Sequence, residues 1–125
     1  MAEFLSDAWI ADLDRAARSA AVPSELSLAV QQVVLDERGV ESSYVVRIAE
    51  GRAVVEAGRS DDVDITITQD RATAGEIARG ELSAQTAFMS GRLRIGGDLR
   101  EVIERARELA TIEDIFAAAR AGTVW

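Results

Sequence analysis

Cysteine, histidine and lysine are all missing from this chain of 125 residues, and all 14 of its basic residues are arginine. Without thiolate, imidazole or primary amine side chains, cysteine and serine–histidine nucleophiles, Schiff-base chemistry and every common zinc ligand set except carboxylates are excluded. Acid–base chemistry would have to run on Asp, Glu, Ser, Tyr and Arg alone. The absence of cysteine also removes any disulfide framework. The opening MAEFLSDAWIADLD carries acids where a secretory leader needs a basic segment, and no apolar run is long enough to cross a bilayer. The final Thr123-Val124-Trp125 is not a peroxisomal address. A soluble, cytoplasmic protein without stable membrane insertion is the expectation.

Positive charge is also scarce, the net charge being −8. Nucleic-acid affinity rests on neutralising phosphates with clustered cations, so DNA and RNA are excluded as partners, and anionic membranes are disfavoured for the same reason. Five arginines (Arg92, Arg94, Arg100, Arg105 and Arg107) fall in one stretch, but Asp98, Glu101 and Glu104 are interleaved with them. That pattern reads as a solvated face of mixed charge, with a local anion-binding patch as the alternative.

What is present is a folded composition, 48% hydrophobic with scattered charges, at a length suited to one domain over residues 1–125. Phe4, Leu5, Ala8, Trp9, Leu13, Ala16, Ala17 and Ala20 recur at helical spacing and predict a helix over 3–21, ended by Pro23. From Leu26 the texture becomes β-branched. LSLAVQQVVLD, SSYVVRIAEG, RAVVEAG and DVDITIT predict four strands, the first three joined by hairpins at Glu37-Arg38-Gly39 and Glu50-Gly51. QDRATAGEIARG predicts a short helix stopped at Gly80, and Ser83 caps another. Arg92 to Ile95 is a fifth strand. Asp98 then caps one long last helix, with Leu99, Val102, Ile103, Ala106, Leu109 and Ala110 facing the sheet and Glu104, Arg105, Arg107 and Glu108 facing water.

The polar candidates have plain structural readings. Asp61, Asp62 and Asp64 lack the ligand series and closing Glu of a calcium loop and read as a solvated strand edge. Gly96-Gly97-Asp98 offers backbone amides to a phosphate, but without a full dinucleotide pattern, and Asp98 fills the cap. No metal or other cofactor is expected. Phe88 and Met89, ahead of Gly91, either plug the core or line a cavity, a flexible thioether beside an aromatic ring being suited to repacking around variable guests.

The block VDITITQDRATAGEIARGELSAQTAFMSGRLRIGGDLREVIE resembles the signature half of the sterol carrier protein 2 family. It has the acid-flanked alternating strand from Asp62 to Thr68, the short helix from Asp70 to Gly80 and the Ala87 to Gly91 segment. It then has the basic-apolar alternation from Arg92 to Ile95 and the Gly97-Asp98 helix start. The resemblance implies an α+β fold, a five-stranded, mostly antiparallel sheet covered on one face by helices. Between them it implies an apolar tunnel for a hydrophobic small molecule: a sterol, a fatty acid or a fatty acyl-CoA. Phe88, Met89, Leu93, Ile95, Val102, Ile103, Leu109, Ile115 and Phe116 are then the expected lipid-binding wall, with Trp125 as a gate and no catalytic residue.

Two further readings stand beside the carrier. In one, Asp, Glu, Tyr44 or an Arg does acid–base chemistry on a bound hydrophobic substrate. In the other, the domain is an accessory module of a lipid-metabolising enzyme or a homodimer, with Val124 and Trp125 at the interface.

Overall fold

A computed structural model describes residues 1–125. The elements are β1 (Ala2–Glu3), α1 (Asp7–Ser19), β2 (Leu28–Leu35), β3 (Glu41–Ala49), β4 (Arg52–Ala57) and β5 (Ile65–Asp70). They are followed by α2 (Arg71–Ala78), α3 (Ala84–Met89), β6 (Leu93–Gly97), α4 (Leu99–Glu104), α5 (Ala106–Ala119) and β7 (Thr123–Val124). The main sheet has the order β4-β3-β2-β5-β6 and is antiparallel throughout except for the β2–β5 pair.

Local chemistry sets the turns. Asp36 accepts from the backbone N–H groups of Arg38 and Val40 at 2.8 and 2.9 Å, closing the β2–β3 hairpin. Glu50 and Gly51 both take positive φ, 53° and 77°, the left-handed pair that matches a two-residue turn to strand twist. Ser6, Asp70, Ser83 and Asp98 cap α1, α2, α3 and α4 through their side chains. On the β4 edge, the free N–H of Val55 donates to Asp14 of α1 at 2.8 Å, so the helix covers an otherwise open strand.

The two faces of the sheet differ. Leu28, Val30, Val34, Tyr44, Val46, Ile48, Val55, Ile65, Ile67 and Leu93 point inward and join α1, α2, α3 and α5 in one core. Outside that core, the 58–64 segment that carries the chain from β4 across to β5 is fastened over the other face. Gln31 donates to the carbonyls of Gly58 and Tyr44 and accepts from the N–H of Ser60 at 2.8 Å, and Arg47 reaches Ser60 and Asp62.

Three expectations are corrected. The first helix begins at Asp7, because Ser6 caps it and Leu5 sits at φ 68°; Phe4 and Leu5 enter the core from outside the helix. The single last helix is two, broken at Arg105 (φ −103°, ψ 31°), whose guanidinium bonds Glu101, Glu108 and the carbonyl of Ser27. The break turns α4 away from the sheet, so Leu99 and Ile103 are exposed and α4 buries no side chain. It also carries Glu108 inward, where its carboxylate accepts from the N–H of Ser27. Finally, β1 and β7 form a separate parallel pair that ties the two termini together, braced by a Trp9 Nε1 to Thr123 Oγ1 hydrogen bond of 3.0 Å.

Candidate functional site

The core is not filled. Between the sheet and the helices lies a cavity of about 530 Å³, within the range of sites that enclose small-molecule ligands. Its floor is made by the inward positions of the period-two strands: Val30 and Gln32 of β2, Tyr44 of β3, Ile65, Ile67 and Gln69 of β5, Leu93 and Ile95 of β6. Its roof comes from α2, α3, α4 and α5. Much of that roof is alanine (Ala74, Ala78, Ala84, Ala106, Ala110), whose one-carbon side chains leave the gap beneath the helices unfilled. Of 24 lining residues 20 are hydrophobic, so the space suits an apolar guest better than a column of water.

The cavity opens between α3 and α4. Phe88, Met89 and Ile103 line it and are also 40%, 78% and 77% exposed, with exposed Gln85 and Glu113 on the rim. Large apolar side chains held open to solvent at the lip of an apolar cavity form a greasy mouth.

Eight of the expected wall residues, Phe88, Met89, Leu93, Ile95, Val102, Ile103, Leu109 and Phe116, are brought together around this space. Two are not. Ile115 is buried in the core outside the wall. Trp125 lies at the surface, 5.0 Å ring to ring from Phe4 and 5.3 Å from the Arg79 guanidinium. Phe4, which the helical reading had absorbed into α1, stands between Trp125 and the cavity and lines the latter. Sequence reasoning also missed the floor from β2 and β5. Continuing the Ile65, Ile67 alternation by one step would have found Gln69.

Charge is kept out of this space. No arginine lines it, and its one acid, Glu113, is at the solvent-exposed rim. The polar groups of the floor are neutral: Gln32 and Gln69, joined by a 2.7 Å hydrogen bond, and Tyr44, whose phenol burial pushes well above its usual pKa and so keeps protonated. A phenol shifted that way is a hydrogen-bond donor, not a base.

The polar groove beside Trp125 has the opposite character. Arg38, Arg71, Arg79 and Arg92 share it with Asp36, Glu37, Asp70, Glu76 and Glu81. Arg92 pairs with Glu76 and Arg79 with Glu81, and with five acids facing four arginines the groove carries no net positive charge to cradle a phosphate. Most of the arginine cluster read in the sequence is similarly spent: Arg100 pairs with Asp98, Arg105 with Glu101 and Glu108, and Arg107 with Glu25, while Arg94 alone among the five makes no ion pair. Asp64, read in the sequence as part of a solvated edge, is exposed but also accepts from the N–H of Ala29 at 2.7 Å, tying the start of β5 to β2.

Comparison with known proteins bears on this architecture directly. A family model, the SCP-2 sterol transfer family, matches residues 12–108. Among solved structures, a crystal structure of sterol carrier protein 2 is similar at a TM-score of 0.72 and 19% identity, covering 94% of this chain and 98% of that one. The solution structure of a conserved hypothetical protein from Thermus thermophilus, described as possibly a sterol carrier protein, gives 0.73 at 20% identity, with 98% and 92% covered. That of palmitated SCP2L2 from Aedes aegypti gives 0.63 at 19%, with 83% and 93% covered. No curated protein sequence matches the chain.

Proposed function

The chain belongs to the SCP-2 sterol transfer family, and on that premise we propose that it is a non-catalytic carrier. It holds one hydrophobic molecule, of the sterol or fatty-acyl kind, in the cavity between sheet and helices and releases it through the α3–α4 mouth. The observation that carries this reading is a cavity of about 530 Å³ with 20 hydrophobic residues among its 24 and an apolar lip at its opening.

Magnitudes assign the driving force. Burying a chain of about sixteen carbons at roughly 0.8 kcal/mol per methylene yields on the order of 13 kcal/mol gross. Association then costs several kcal/mol, roughly 4 to 15. A surface ion pair with a head group adds about 1 kcal/mol or less. Solvent exclusion therefore sets affinity, and the carrier tolerates guests differing by a methylene or two. A lipid-metabolising enzyme that docks over α3 and α4 would meet the ligand where it emerges.

The test is to identify what leaves the protein on solvent extraction after native purification, then to titrate the emptied protein with a neutral fluorescent apolar probe. A stoichiometric lipid in the extract and saturable probe binding are expected. A delipidated, folded protein that binds neither probe nor sterol nor fatty acid would overturn the carrier reading.

A further inference from the structure

The floor of the cavity carries hydrogen-bonding groups that the fold does not use. Gln32, Gln69 and Tyr44 are 6%, 8% and 3% exposed, and all three line the cavity. Register makes them one row: Gln32 faces Tyr44 across the β2–β3 pair, and Gln69 sits diagonally from Gln32 across the β2–β5 pair. The only hydrogen bond among their side chains runs from Gln69 Nε2 to Gln32 Oε1. That leaves Gln32 Nε2, Gln69 Oε1 and the Tyr44 hydroxyl with no protein partner. None of them is sealed in the packed interior, since no fully enclosed polar atom of the protein lacks a partner. They open into the cavity. Reversing both amides exchanges the two roles and still leaves one donor and one acceptor facing the guest.

An apolar pocket gains nothing from such a row unless something answers it, because two leucines of similar size would serve the core better. The geometry points to a polar subsite for a neutral hydroxylated lipid, bound with its hydroxyl inward: the oxygen accepts from Gln32 Nε2 and the Tyr44 hydroxyl, and its hydrogen goes to Gln69 Oε1. The inference rests on the carrier reading and sharpens it. A carboxylate is the wrong group here, since it has no hydrogen to give Gln69 and no cation in the cavity would offset the loss of its hydration. A hydroxyl matches one donor and one acceptor at once. In sheet order the row lies one, two and three strands inward from β6, which α3 and α4 flank, so a guest entering at the mouth reaches it with its leading end.

The test compares ligands of one chain length, 1-hexadecanol, hexadecane and palmitate, by displacement of the neutral probe from wild type and from Gln32→Leu/Gln69→Leu. The alcohol-to-hydrocarbon affinity ratio should fall about tenfold in the double variant, the effect of losing one or two buried hydrogen bonds, while the palmitate-to-hydrocarbon ratio does not fall. Tyr44→Phe, which removes a single oxygen, should lower the alcohol ratio by about threefold and provides a second variant should the double one fold poorly. An alcohol ratio unchanged in both variants, or a palmitate ratio that falls as far, would overturn the subsite and leave the carrier intact. Wild type from which none of the three ligands displaces the probe would overturn the subsite, and one that binds neither probe nor sterol nor fatty acid would overturn the carrier reading with it.

Discussion

Gln31 and Gln32 are adjacent in β2, are both almost wholly buried, and have opposite fates. Gln31 points to the outer face, where its amide is shared among the carbonyls of Gln32, Tyr44 and Gly58 and the N–H of Ser60. Both ends of its amide are engaged, and two of these bonds, to Gly58 and Ser60, pin the crossover segment. Gln32 points to the inner face and has one partner, Gln69. The same residue type thus acts as a clasp on one side of the sheet and as an open socket on the other, and the difference lies in whether backbone or empty space faces it.

The largest effect should come from breaking the clasp. Gln31→Leu takes the partner from the half-buried carbonyl of Gly58 and N–H of Ser60 in the crossover segment, and should cost about 2 kcal/mol, roughly one for each bond lost. Urea denaturation should show a lower midpoint at an unchanged slope. A loss below about 0.5 kcal/mol, the scatter of ordinary surface changes, would mean that the crossover is held by something other than Gln31.

Next in size is the mouth. Met89→Asp/Ile103→Asp places charge on side chains that are already mostly in water, so stability should move by only about 0.5 kcal/mol per site. A guest passing or resting against the lip would lose apolar contact, and probe affinity should drop about tenfold. Equal affinity in variant and wild type would move the entrance elsewhere, with Phe4 the next place to look.

Socket and clasp then separate on stability. Gln32→Leu/Gln69→Leu replaces both members of a hydrogen-bonded pair with apolar side chains of similar volume, a change that is close to neutral or stabilising, within about 1 kcal/mol. Its denaturation midpoint should stay near that of wild type where Gln31→Leu falls well below it. Equal destabilisation by the two would show that the inner glutamines are clasps as well.

How much of this was legible follows from periodicity. Ile65 and Ile67 alternate with threonines, so β5 and its inward face could be read directly, as could the helix caps at Ser83 and Asp98. The β2 stretch LAVQQVVL is apolar on both faces, and nothing in its pattern says which glutamine turns inward; only the crossover segment, lying over one face, decides that. Gln69 is hidden by its neighbour, because Asp70 caps α2 and that helix signal ends the readable strand pattern at Thr68. The stripe from Leu99 to Ala110 is continuous in sequence, and the break at Arg105 depends on its contact with Ser27, 78 positions away. Exposed Ile103 and buried Glu108 are both consequences of that break. The two-residue strands that join the termini are too short to carry a period at all.

The smallest effect concerns a second fastening of the outer face. Arg59, in the crossover segment, holds Glu41 of β3 through two hydrogen bonds of 2.7 and 2.6 Å. These bonds, with the Ser43 hydroxyl second, hold the Glu41 carboxyl at about 2, below its ordinary 4.5. A carboxylate with a depressed folded-state pKa adds stability that is complete above the unfolded value and disappears as pH falls through the folded one. The pair is open to solvent and therefore screened, so its contribution is far below that of buried Gln31. Wild type should melt slightly above Glu41→Gln at pH 7, and the gap should begin to close near pH 4.5 and vanish near pH 2. Adding about 1 M salt at pH 7 should shrink the same gap, whereas the deficit of Gln31→Leu, resting on buried hydrogen bonds between neutral groups, should stay as it is. A gap that ignores both acid and salt would mean that Glu41 acts through its place in the β2–β3 ladder and not through its charge, leaving Gln31 and Arg47 as the side-chain locks on the crossover.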